Sequence, residues 1–137
     1  MTDDPARPIK TLELRAGDVW LRADGIVYHR NRPGVRHTLA DVQIHFASFV
    51  ELAGDVRRPL LVDARGEFLT EPGVREAYGK PLQERGPLAL AILIDSGYGR
   101  TFGNIALAFS AQRLPTRLFT EEEAALAWLR KFIRLSR

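Results

Sequence analysis

The chain of 137 residues contains no cysteine. That excludes disulfides, thiolate-bound zinc, iron–sulfur clusters and a cysteine nucleophile, and it fits a reducing compartment. Histidine is scarce as well. His29, His37 and His45 are assigned to a strand, a loop and a helix, with no His-x₃-His pair among them. A metal site is therefore not expected, and no cofactor is implied. No run approaches the roughly 18 apolar residues of a membrane span. The opening "MTDDPARPIK" is polar, holds two prolines and lacks the apolar core of a signal peptide. It reads as a tail over residues 1–10, with a single domain over 11–137 and the cytoplasm as the default location. Charge of one sign is not concentrated either: 20 basic against 17 acidic side chains give a net charge of +3. A nucleic-acid binder would carry a dense basic face with interleaved aromatics. The nearest feature is Arg130, Lys131, Arg134 and Arg137, which reads as cations at the end of a helix, complementing its dipole. Nucleic acid is not an expected partner.

What is present is periodicity. "TLELR", "VWLRA" and "IVYHR" read as strands, with Asp24–Gly25 between the last two as a two-residue hairpin turn. After the "NRPGVRH" loop, Thr38 and Asp41 form a capping-box pattern that opens a helix. Leu39, Val42, Phe46, Phe49, Val50 and Ala53 follow at helical spacing, and Gly54 closes it. "RRPLLVDA" and "GPLALAILID" carry contiguous apolar residues of the kind found in central parallel strands. Thr70, Glu71 and Pro72 introduce a short helix ending at Gly79 or Pro81. A third helix runs from Tyr98 to Gln112, "PTRLF" is a last strand, and Thr120 with Glu123 makes a capping box for an amphipathic fourth helix. The expected fold is α/β: a mixed sheet of five to six strands, antiparallel at its start and parallel in its later βα units, with four helices.

Candidate chemistry gathers at the ends of the two apolar strands, the edge where open α/β sheets bind ligands. Asp63, Arg65, Glu67, Thr70 and Glu71 follow the first strand. Asp95, Ser96, Gly97, Gly99 and Arg100 follow the second. "GYGRTFG" fits G-x-G-x-x-x-G, a pattern that lets backbone N–H groups approach an anion at a helix N-terminus. No acid ends the next strand, as a dinucleotide fold requires, so the glycines also read as a tight turn, with Gly103 admitting close helix packing. Asp63 and Arg65 read either as a phosphate or acid–base pair or as a loop salt bridge. Asp63 and Asp95 in one cleft would raise one carboxyl pKa. No G-x-S-x-G elbow and no G-x₄-GK[ST] loop occurs. Trp20, Trp128 and Phe102 fall on core faces, while Tyr98 is a candidate for an exposed aromatic lip.

The element order, together with "LLVDARG", "TEPGVREAYG", "LALAILIDSGYGRTFGN" and "RLFTEEEAALAWL", resembles the STAS/SpoIIAA-like domains. Within them it is most similar to the bacterial STAS/SEC14-like proteins of unassigned function. The resemblance covers residues 11–133. It implies a non-enzymatic regulatory or protein-interaction module that binds through its strand-end loops. In anti-sigma-antagonist members a D-S-S-G segment carries a phosphorylated serine. Here "TEPG", Thr70 to Gly73, stands in its place, with Glu71 where that serine would be and Thr70 as the hydroxyl available. The SEC14-like side of the resemblance implies an apolar ligand. The alternative reading is a small-ligand protein, for a nucleotide, phosphate or lipid, using the Gly97–Gly103 loop. The partner protein is not named by the sequence, and a homodimer is compatible with so small a sheet.

Overall fold

A computed structural model describes residues 4–66, 69–78, 86–111 and 113–135. Strand β1 (Pro8–Glu13) pairs antiparallel with β2 (Gly17–Arg22), and β2 pairs antiparallel with β3 (Val27–Asn31). A two-residue strand β4 (Arg36–His37) precedes helix α1 (Leu39–Ala53). Then come β5 (Leu60–Asp63), β6 (Leu69–Thr70), α2 (Val74–Tyr78), β7 (Leu90–Leu93), α3 (Gly99–Ala111), β8 (Thr116–Phe119) and α4 (Glu122–Leu135). The main sheet has the order β1-β2-β3-β5-β7-β8, and β4 pairs with β6 in a small parallel sheet of its own. The six-stranded mixed sheet with four helices among the described residues is the α/β architecture that the strand and helix periodicities predict.

Strand alternation divides the core. Val27, Leu60, Leu90 and Ile92 face one side, where Phe49 and Leu52 of α1 and Phe102 and Phe109 of α3 cover them. Tyr28, Leu61, Ala91 and Leu93 face the other, where Ala125, Leu126 and Leu129 of α4 pack. β5 and β7 are apolar on both faces because both faces are covered, which is why they read as continuous apolar runs. α1 opens as expected: Thr38 Oγ1 accepts from the Asp41 backbone N–H, and Asp41 returns a bond to the Thr38 N–H at 2.8 Å.

Several local details differ from expectation. β1 opens at Pro8, ahead of the "TLELR" run. The turn between β2 and β3 is a three-residue loop. The Arg22 N–H donates to the Ile26 carbonyl, the Gly25 N–H donates back to the Arg22 carbonyl, and positive φ falls on Gly25 alone. This is a type I turn closed by a left-handed glycine, not the two-residue mirror-image turn. α4 starts at Glu122, one residue too late for the Thr120–Glu123 box. Glu121 instead supplies the first carbonyl, to Ala125. A side chain on Gly103 would meet nothing within 4 Å, so close packing does not require glycine there. Close packing does require it at Gly17, where a Cβ would lie 2.3 Å from the Arg30 carbonyl oxygen of the neighbouring strand. The proposed ends of α2 at Gly79 or Pro81 and of α3 at Gln112 lie outside the described residues, as do Glu67 and Arg137.

Candidate binding rim and histidine cluster

Strands β5 and β7 are parallel neighbours, with Asp63 opposite Leu93. Their exits therefore open on one rim, and the two loops are tied together: the Gly66 backbone N–H donates to Asp95 Oδ2 at 2.7 Å. Asp95, Ser96, Gly97, Tyr98, Gly99 and Arg100 are all exposed. Gly97 has φ +98°, a conformation that side chains resist. The Tyr98 N–H donates to the Asp95 carbonyl and the Phe102 N–H to the Tyr98 carbonyl, winding the loop into α3. Tyr98 points outward while Phe102 is buried. Among the described residues no carboxylate pairs with Arg100.

Asp63 is a buried anchor. Arg65 holds it with a fork, Nε to Oδ1 at 3.0 Å and a terminal nitrogen to Oδ2 at 2.9 Å, and the Arg65 backbone N–H adds a third bond at 3.2 Å. Arg30 approaches from β3 at 3.6 Å. The Tyr28 hydroxyl reaches Asp63 Oδ2 at 3.2 Å and also contacts Glu122 at the start of α4. Burial alone would raise the Asp63 carboxyl pKa, but the bonds from Arg65 outweigh it and hold the group below its ordinary value. The raised carboxyl pKa expected for a cleft shared by Asp63 and Asp95 is thus not found at Asp63. Arg65 is raised in turn by its bond to Asp63. Burial first, then the bond to Glu122, pushes the Tyr28 phenol above its ordinary value. Of the two readings of the Asp63–Arg65 pair, the geometry is that of the loop salt bridge. Tyr28, Glu122 and Arg30 complete this group, and no local sequence pattern marks them as part of it. Trp20 stacks on Tyr28 with ring centroids 4.5 Å apart, and the Arg30 guanidinium lies over both rings.

Thr70 and Glu71 sit elsewhere, on the β4–β6 sheet, where Thr70 is opposite His37 and the Glu71 N–H donates to the His37 carbonyl at 2.9 Å. Among the described residues no hydrogen bond or ion pair joins them to the Asp63–Gly66 or Asp95–Arg100 loops.

The same small sheet borders a cluster that sequence spacing did not reveal. His29 on β3 and His45 on α1 meet edge to face at 4.3 Å, and His37 lies 5.5 Å from His45. All three are buried. The Tyr78 hydroxyl stands between His45 Nδ1 at 3.0 Å and His37 Nδ1 at 3.2 Å. Its one proton goes to one ring and its lone pair faces the other, so the two neutral imidazoles carry opposite tautomers. Burial, followed by its histidine neighbours, drives His29 well below its ordinary pKa and lowers His45 to about 4. Burial also lowers His37, against a smaller opposing pull from Asp41. Burial acts to raise Asp41, but Arg15 and Thr38 overcome it and bring that carboxyl to about 2. No group of three or more His, Asp or Glu side chains among the described residues is arranged to hold a metal ion. The one sequence signal for the cluster is parity: Tyr28 and His29 are adjacent on a core strand and must face opposite sides.

A mixed sheet of this order, with α1 and α3 on one side and α4 on the other, defines a SpoIIAA-like α/β domain. The crystal structure of an uncharacterized protein from the DUF3478 family, with a SpoIIAA-like fold, from Shewanella loihica PV-4 superimposes with a TM-score of 0.60. It is 14% identical, and the match covers 83% of this chain and 92% of that one. Residues 19–133 match the family described as "Domain of unknown function (DUF7793)", and the chain belongs to that family. No curated protein matches the chain. No helix among the described residues is long and apolar enough to cross a membrane.

Proposed function

We propose that the protein is a non-enzymatic regulatory module of the STAS kind, acting in the cytoplasm and binding a protein partner through the loops that leave β5 and β7. The observation that carries this reading is the Gly66–Asp95 bond, which makes one surface of two loops. Around it stand an exposed aromatic side chain, Tyr98, and a cation that pairs with no carboxylate among the described residues, Arg100, the residue types enriched where proteins bind proteins. Asp63 and Arg65 hold the rim in shape, and Ser96, Gly97, Gly99 and Arg100 face the partner. Thr70 and Glu71 belong to a second, neighbouring segment. The test is affinity capture from the native cell with the wild-type chain, Arg100→Glu, and a charge-matched control on α4, Lys131→Glu. A partner retained by wild type and Lys131→Glu but lost by Arg100→Glu supports the reading. Identical partner sets for all three remove the rim from it.

A further inference from the structure

Between the sheet and helices α1, α2 and α3 lies a cavity of about 90 Å³, partly open to solvent. Its two sides differ chemically. Toward β7 and α3 the wall is Leu90, Ile92, Phe102 and Phe109, and toward β3 and α1 it includes His29 and His45. Each of these histidines is more than nine-tenths buried, and among the described residues the Nε2 atom of each has no hydrogen-bond partner and is closed off from solvent. A buried polar atom without a partner is a standing cost, and protein interiors seldom carry two side by side. A polar group entering the cavity from its apolar side would offset that cost.

We propose that this cavity binds a small uncharged apolar molecule carrying one hydroxyl group, with its body against β7 and α3 and its hydroxyl paired with Nε2 of His29 and His45. The site is separate from the rim and does not depend on it. The enclosed volume of about 90 Å³ is below the ~150 Å³ of a cavity that encloses benzene, so a single ring is the upper limit and part of it must extend into the open mouth. A hydroxyl fits because it both donates and accepts. Tyr78 leaves His45 Nε2 as a donor in one tautomer arrangement and an acceptor in the other, and a hydroxyl answers either. A carboxylate answers only donors, and it would enter a wall in which the described residues include no lysine or arginine.

Three ring compounds of similar size test this on the wild-type protein: phenol, toluene and benzoate. Binding is read from methyl resonances of Leu90 and Ile92 and from the ring nitrogens of His29 and His45 by NMR. The expected result is saturable phenol binding that moves both sets of signals, about tenfold tighter than toluene, with benzoate weakest. His45→Phe should abolish the preference of phenol over toluene. Absence of phenol binding, equal affinity for phenol and toluene, tightest binding by benzoate, or phenol shifts confined to exposed residues would each overturn the proposal. The ligand series in the unaltered chain decides the matter even if the variant does not fold.

Discussion

The backbone N–H of Gly66 and the carboxylate of Asp95 meet at 2.7 Å across the exits of two neighbouring parallel strands. This bond turns two loops into one surface, and its removal is measurable. Asp95→Ala should cost about 1 kcal/mol, the scale of a single hydrogen bond to a charged group at an exposed site. It should also speed hydrogen exchange at the Gly66 amide while leaving the amides of β5 and β7 protected. Unchanged exchange at Gly66 would mean the loops are held by something else.

Tyr28 is the second support. Its hydroxyl bonds Asp63 and contacts Glu122, joining β3, β5 and the start of α4. Tyr28→Phe keeps the ring that stacks on Trp20 but removes the one proton that Asp63 and Glu122 share. The expected loss is about 2 kcal/mol by urea denaturation. A loss within error of zero would show that Arg65 and Arg30 satisfy Asp63 without it.

Gly17 offers a steric test. Alanine there would place a methyl carbon 2.3 Å from the Arg30 carbonyl oxygen, and backbone cannot yield as a flexible side chain can. Gly17→Ala should destabilise the chain by about 2 kcal/mol or more. Gly103→Ala, at a helical position with open space around it, should be neutral or stabilising. Equal effects at the two positions would contradict the β2–β3 register.

The histidine cluster predicts a pH dependence. His29, His37 and His45 are buried, and their folded-state pKa values lie below 6.5, with His45 at about 4. Between about pH 6.5 and 4 the unfolded chain therefore binds protons that the folded chain refuses, so stability falls as pH falls through this window. His45 alone should cost about 2 kcal/mol between pH 7 and pH 5. Asp41, lowered to about 2, should add its loss only below about pH 4. Urea midpoints at pH 7, 6 and 5 check the sign. Equal midpoints would mean that the imidazoles accept protons in the folded protein.

How much of this was legible in the sequence depends on the kind of signal. β5, β7, α1 and α4 were readable because contiguous apolar runs and 3.6-residue spacing are local consequences of burial. The parallel adjacency of β5 and β7 followed from the helices between them. The β4–β6 pair was not readable, since two-residue strands have no period. The three-residue loop at Gly25 was hidden because Asp-Gly suits both turn types. At the candidate site, the Asp63–Arg65 pair was visible by proximity in sequence. Tyr28, His29, His45, Tyr78 and Glu122 were not, because the contacts that join them to one another and to Asp63 span 16 to 94 positions. Only the fold brings such residues together.

The central claim is that the rim formed by the β5 and β7 exits is the surface that meets a partner. It is tested most directly by placing a photo-crosslinking residue at Ser96, on the rim, and separately at Val56, which is 55% exposed and precedes β5 at the opposite end of the sheet. Irradiation in the native cell should yield a discrete crosslinked product from position 96, abolished by Arg100→Glu, and none from position 56. A product from position 56 with none from position 96 would contradict the account.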